Sequence, residues 1–415
     1  MAEMTGAHIR TDLADLMLGD AACANAAAAR LAAGSGWSTA VALSGQWRIS
    51  TALHGKLETL AAGGTAVVID AESRAQLRRL AVIAAAQTTL VLQRSRAALG
   101  ILEGAGCEAI AIKGIALIAG LYDGRATRMV SDLDIIVRER EFATLKAALE
   151  AAGYEDRSPE FERHVADIGA SERLHNYART FVRDGLEVDA HWQFGPNPPA
   201  VLATEHIIRR SHRVSLGKFE IRVASPIDAI LIGTHHALRG YFVPRETVKD
   251  LCDLAVWWTL GRAQWKLADL IVASHEAEIA TSLCALWRIL CRRDPAHPAA
   301  HGIAAIEHTM NAAARGEARN LAQFFDHQLV FGNHAERTVQ MFAVSVAGRS
   351  LIARSRGWLN RRVRGKSDVL RYIPRPLPAR VAHLRERIVK VARELGRVRS
   401  FAAYRAVARA QSRYH

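Results

Sequence analysis

Asp132 and Asp134 stand one residue apart in RMVSDLDIIV (residues 128–137), inside an otherwise apolar run. In an extended chain alternate side chains share a face, so the two carboxylates point one way and Ser131, Leu133 and Ile135 the other. Two like charges held side by side repel and lose hydration, a cost that a bound cation reverses. A third acid, Asp189, lies in LEVDAHW (186–192), where Leu186 and Val188 alternate with Glu187 and Asp189. With that strand beside the first, three carboxylates would converge on Mg²⁺, a hard cation that takes oxygen ligands and keeps waters for phosphates. Two such ions would bridge a triphosphate, activate an acceptor hydroxyl and stabilise a pyrophosphate leaving group. Each acid alone reads more readily as a strand-edge residue than as a metal ligand.

Cations flank these acids. Lys113-Gly114 in IKGIAL follows a short apolar run and opens a helical one. A glycine at a helix N-terminus lets backbone amides approach a phosphate, and a lysine beside it adds a point charge. A plain strand-to-helix turn is the competing reading. Arg128, four residues before Asp132, has two readings, as a phosphate ligand or as the partner of Asp132. His191 shares the face of Asp189, where a hydrogen-bonded structural role competes with tuning of the metal site. His235 and His236 are adjacent on a predicted helix, so one of them at most faces a cleft, and the pair reads mainly as structural. Lys249 and Asp253, four apart, are expected to form a surface ion pair. Trp257 and Trp258 are expected to pack a helix interface.

The elements that must position these residues follow from the pattern. CEAIAI (107–112) and LDIIV (133–137) read as strands, joined through the helical KGIALIAGLYDG. REREFATLKAALEAAGY then places Phe142, Leu145 and Leu149 on one helix face and stops at Gly153. ARTFVRDG and LEVDAHWQF form a hairpin candidate around Asp184-Gly185, a favoured turn pair. Residues 10–60 read as helical with a break at GSGWS, Ser73–Leu102 as one or two long helices, and helix resumes from Pro226. The fold class expected is α+β, a small mixed β-sheet core framed by helical regions. The divisions are 1–104 helical, 105–225 the α/β core, 226–346 helical and 347–415 a basic helical tail.

The chain has 415 residues and a net charge of +14. Residues 349–415 carry 19 Lys/Arg against Asp368, Glu386 and Glu394, so the preceding residues are close to neutral. In the segment 379–398 the residues Val381, Leu384, Ile388, Val391 and Leu395 line one helix face, with cations on the other. Such a tail suits RNA, an anionic membrane surface or the protein body. Five cysteines are odd in number and form no C-x-x-C pair, which argues against a disulfide framework or a zinc knuckle. The first residues lack the apolar run of a signal peptide, and LAVIAAAQTTLVL is too short to span a membrane. A cytoplasmic location is expected.

Taken in order, K-G, then R-x-x-S-D-L-D followed by apolar residues, then a helix ending in G-Y, then V-D-x-H-W resembles the uncharacterised nucleotidyltransferase family of the DNA polymerase β-like superfamily. The resemblance spans roughly residues 40–260, with QWRISTALHGKL and VKDLCDLAVWW similar to its helical flanks. It implies a nucleotidyltransferase that moves an NMP from an NTP, such as ATP, to an acceptor: a protein, an RNA or a small molecule. It also implies Mg²⁺, two ions, on Asp132, Asp134 and Asp189 as catalytic ligands, with Lys113, Gly114, Arg128 and Ser131 on the nucleotide. The loop departs from the superfamily's usual Gly-Gly or Gly-Ser in having Ile115 after Gly114. The alternative class is a non-catalytic nucleotide-binding protein, or a nucleic-acid- or membrane-associated adaptor that works through its tail.

Overall fold

The structure, a computed structural model, describes residues 6–64, 67–122, 124–157, 178–194, 199–239 and 244–331. The basic tail and its expected helix therefore lie outside the described residues.

Four helices open the chain, α1 (Gly6–Leu18), α2 (Ala21–Ala33), α3 (Trp37–Gln46) and α4 (Ser50–Ala62). The long stretch after them is a single helix, α5 (Ala71–Gly104). It starts where Asp70 Oδ1 accepts the Ser73 amide at 2.8 Å, a side-chain N-cap. It stops at Gly106, which turns the chain at φ +76°. Leu77, Ala81, Ala84, Thr88, Val91, Ser95, Ala98 and Leu102 recur at three- and four-residue spacing along it and are buried.

The sheet follows. Its strands are β1 (Ile110–Ala111), β2 (Asp132–Ile136), β3 (Glu155–Asp156), β4 (Ala178–Arg183), β5 (Leu186–His191), β6 (His212–Leu216) and β7 (Phe219–Val223). Between them run α6 (Lys113–Gly120), α7 (Phe142–Ala151) and α8 (Thr204–Arg210). The spatial order is β3-β4-β5-β2-β1-β7-β6. Strand β2 runs parallel to β5 and antiparallel to β1, so the sheet is mixed. The β4–β5 turn is the one expected, with both Asp184 (φ +50°) and Gly185 (φ +76°) left-handed, as a two-residue hairpin of this hand requires. The β6–β7 hairpin is an addition that the sequence patterns did not predict. It extends the sheet on the far side of β1.

The two faces of the sheet go to different cores. Leu133, Ile135, Leu186, Val188 and Ala190 pack with Val91, Leu99 and Leu102 of α5 and with Leu145 and Leu149 of α7. On the other side Ile110, Ile112 and Ile136 join a larger core. That core contains the N-terminal helices together with α9 (Pro226–Arg239), α10 (Pro244–Thr259), α11 (Leu267–Glu276), α12 (Ala280–Arg293), α13 (Ala299–His308) and α14 (Ala312–Phe331). Trp258 stands edge-on to Trp265 and Trp287, with ring centroids at 4.9 and 5.1 Å, as expected of a helix-packing residue. No helix among the described residues is long and apolar enough to cross a membrane.

Candidate active site

Parallel pairing of β2 with β5 sets Asp134 directly across from Asp189, and Ile136 across from His191. Asp132 is two residues before Asp134, so all three acids share the face turned away from α5 and α7. Opposite them stand α9 and α10. The cleft between is lined by Lys113, Gly114, Arg128, Ser131, Asp132, Asp134 and Asp189 from the sheet side. From the helical side it is lined by Gly233, His236, Lys249, Asp250, Asp253 and Trp257. Every residue singled out from the sequence as catalytic, metal-binding or nucleotide-binding thus borders one cleft.

The partners inside the cleft are more particular than the sequence suggested. Lys113 Nζ donates to Asp134 Oδ1 at 2.5 Å, so in this arrangement the lysine is aimed at the acids. His191 Nε2 is 3.3 Å from the same oxygen, and its ring stacks on Phe194 at 5.9 Å. Burial alone would raise the Asp134 carboxyl, but the Lys113 ammonium and the His191 ring outweigh it and hold the carboxyl well below the usual range. Asp189 goes the other way, raised by burial and then by the charge of Asp134 beside it, although Thr180 Oγ1 donates to its Oδ1 at 2.6 Å. Burial lowers His191, which favours the neutral imidazole. Among the described residues no group of three His, Cys, Asp or Glu side chains is gathered to hold a metal ion as it stands.

Arg128 does not pair with Asp132, one of its two expected partners. It is buried and binds Asp253 in a fork, Nε to Oδ1 at 2.8 Å and Nη2 to Oδ2 at 2.7 Å. This pair ties the loop before β2 to α10, and it corrects the expectation of a Lys249–Asp253 surface pair. The acid is committed to a cation 125 residues away in the chain. Gly114 is needed here for packing: a Cβ there would lie 2.9 Å from Arg128 Nη1 and 3.0 Å from Val130 Cγ1. Ile115, the departure in the loop, is fully buried in the sheet core. Thr88 of α5 accepts the Val130 amide at 3.2 Å and so fixes the same loop from behind.

Three further residues were not foreseen as part of the site. Arg48, at φ +57°, donates through Nη1 to Ser131 Oγ at 2.8 Å, and Ser131 donates to Asp132 Oδ1 at 3.3 Å. His236 faces the cleft, its Nδ1 3.1 Å from Asp250 Oδ2, while His235 turns against Phe194. The only sequence signal for the helical wall was spacing: Lys249, Asp253 and Trp257 recur every four residues along one side of α10.

A family model described as uncharacterised nucleotidyltransferase matches residues 33–292. Among solved structures, the solution structure of the antibiotic-resistance factor ANT(2'')-Ia is similar at 17% identity, over 47% of this chain and 95% of that one. The TM-score is 0.32, too low for the likeness to carry an argument. No curated protein matches the chain.

Proposed function

The chain belongs to the uncharacterised nucleotidyltransferase family, and from that membership we propose an Mg²⁺-dependent transfer of an NMP from NTP to an acceptor hydroxyl at the Asp132–Asp134–Asp189 face. Nucleotidyl transfer is the activity of the family; the metal and the roles of the residues are our reading. One observation carries it: Asp134 and Asp189 are direct neighbours on parallel strands, with Asp132 on the same face, and all three border the cleft.

The donor set suits a hard divalent cation. The three side chains offer carboxylate oxygens, and the Lys113 ammonium in contact with Asp134 marks the cluster as one that calls for positive charge. Mg²⁺ held by Asp132, Asp134 and Asp189 would neutralise charge on the triphosphate and its leaving pyrophosphate. The acceptor hydroxyl gives up its proton to solvent as its oxygen bonds the α-phosphorus, the bond to the bridging oxygen breaks, and pyrophosphate leaves. The chain's own part is positioning. Arg128 and Thr88 hold the loop that leads into β2, and Arg48 orients Ser131 beside Asp132. His191 and Lys113 keep Asp134 ionised.

Incubation with each α-³²P-NTP and cell extract tests this. Label is expected on one acceptor class, protein, RNA or small molecule, and is expected to disappear in Asp132→Ala and Asp134→Ala. Transfer that survives both substitutions would reject the assignment. Nucleotide binding with no transfer to any acceptor would favour the non-catalytic adaptor. Deletion of residues 367–415 then asks whether the tail serves acceptor binding, membrane attachment or stability.

A further inference from the structure

Lys113, like Arg48 in the same site, has a strained backbone. Its φ of +53° lies in the left-handed region that a residue with a Cβ seldom adopts. The neighbouring Gly114 would adopt such a φ at little cost, yet the strain falls on the lysine. Two constraints hold it there. The preceding Ile112 amide is fixed to the Asp134 carbonyl at 3.0 Å, and Gly114 is wedged against Arg128 and Val130. The result is an ammonium delivered to Asp134 Oδ1 at 2.5 Å, beside Asp132 and Asp189.

The ammonium is also replaceable. The Lys113 side chain keeps 20% of its exposure where Asp134 keeps 6%, and it lines the open cleft. Its contact is a single hydrogen bond at the end of a flexible four-carbon stem. The nearby guanidinium groups are committed: Arg128 to Asp253 and Arg48 to Ser131. A divalent cation on Asp134 would repel an ammonium 2.5 Å from the same oxygen, so the two cannot share it.

We propose that Lys113 is the resident counter-cation of the carboxylate cluster, and that an incoming triphosphate draws its ammonium away from Asp134, making metal binding conditional on nucleotide. This rests on the reading of Asp132, Asp134 and Asp189 as the metal–nucleotide site. Lys113 then has two stations, the acids in the free protein and a phosphate oxygen in the complex. The strained backbone keeps both within reach of its stem. By linkage, any factor by which nucleotide tightens metal binding equals the factor by which metal tightens nucleotide binding.

Mn²⁺ binding followed by paramagnetic resonance on the full chain, with and without a mixture of the four α,β-methylene NTPs, tests the proposal without reference to turnover. Wild type is expected to bind Mn²⁺ weakly alone and at least tenfold more tightly with the analogues. Lys113→Met is expected to bind Mn²⁺ alone at least tenfold more tightly than wild type, with most of the nucleotide effect gone. Equal Mn²⁺ affinity in wild type and Lys113→Met, abolished in both by Asp134→Asn, would overturn the role of Lys113 and leave the metal site standing. Absence of Mn²⁺ binding from both proteins, with analogues present, would overturn the metal site and this proposal with it. Thermal unfolding covers a failure to fold: Lys113→Met that folds only with Mn²⁺ supports the exchange of one cation for another, and a variant that stays unfolded at saturating Mn²⁺ overturns it.

Discussion

Two cation–carboxylate pairs border the cleft, and they are built differently. Arg128–Asp253 is a two-pronged fork with both side chains about a tenth exposed, and it joins the loop before β2 to α10. Lys113–Asp134 is a single contact, open on the lysine side, with two more acids and a histidine close by. The guanidinium fork satisfies its carboxylate geometrically as well as electrostatically. The ammonium satisfies a charge and little else. One pair is a staple, and the other is a charge that another cation can replace.

The sharpest way to break this contrast is to remove the arginine. Arg128→Ala leaves Asp253 buried without its partner and is expected to cost about 3–5 kcal/mol in urea unfolding. Arg128→Met paired with Asp253→Leu is expected to recover much of that, because neither charge then remains. A loss under 1 kcal/mol for the single variant would show that the fork is not a staple. On the other pair, Asp134→Asn is expected to lower label transfer by at least about 100-fold, the scale of several kcal/mol of charge stabilisation. Its effect on stability should be the smaller of the two.

The acid side of the stability profile sharpens the comparison further. The Asp134 carboxyl is held below its ordinary value of 3.8, so its pairing contributes fully above that pH and fades as pH falls beneath it. Asp189, raised, contributes in the opposite sense. The stability difference between wild type and Asp134→Asn is therefore expected to shrink on going from pH 5 to pH 3. A difference that grows over this interval would refute the pairing. The smallest effect is expected at the loop's rear support. Thr88→Val removes the acceptor for the Val130 amide at nearly constant volume and should cost about 1 kcal/mol.

What could be read from the sequence was what depends on neighbours in the chain. Alternation in DLDII and LEVDAH gave the shared face of the acids, and Asp184-Gly185 gave the turn. Choice of ion partner was not legible in the same way. Arg128 had an acid four residues away and took one 125 residues away. Lys249 and Asp253 had ideal helical spacing, yet the acid turned to the cleft, because desolvating a forked pair fixes a geometry that a solvated pair does not. His236 and Asp250, 14 residues apart, come together only because α9 and α10 pack side by side. Helical spacing showed which side of α10 Lys249 and Asp253 share and was silent on what that side would meet.

The shared core of the helices carries a consequence for dividing this chain. Ile110, Ile112 and Ile136 back the strands that hold Lys113 and Asp134, and they are buried among side chains contributed from both ends of the described chain, such as Leu13 and Leu290. A fragment trimmed to the strands would open its hydrophobic underside to solvent, inviting aggregation before any nucleotide could be tested on it. A minimal active piece must bring its helices along, because the sheet's floor is made by the rest of the molecule.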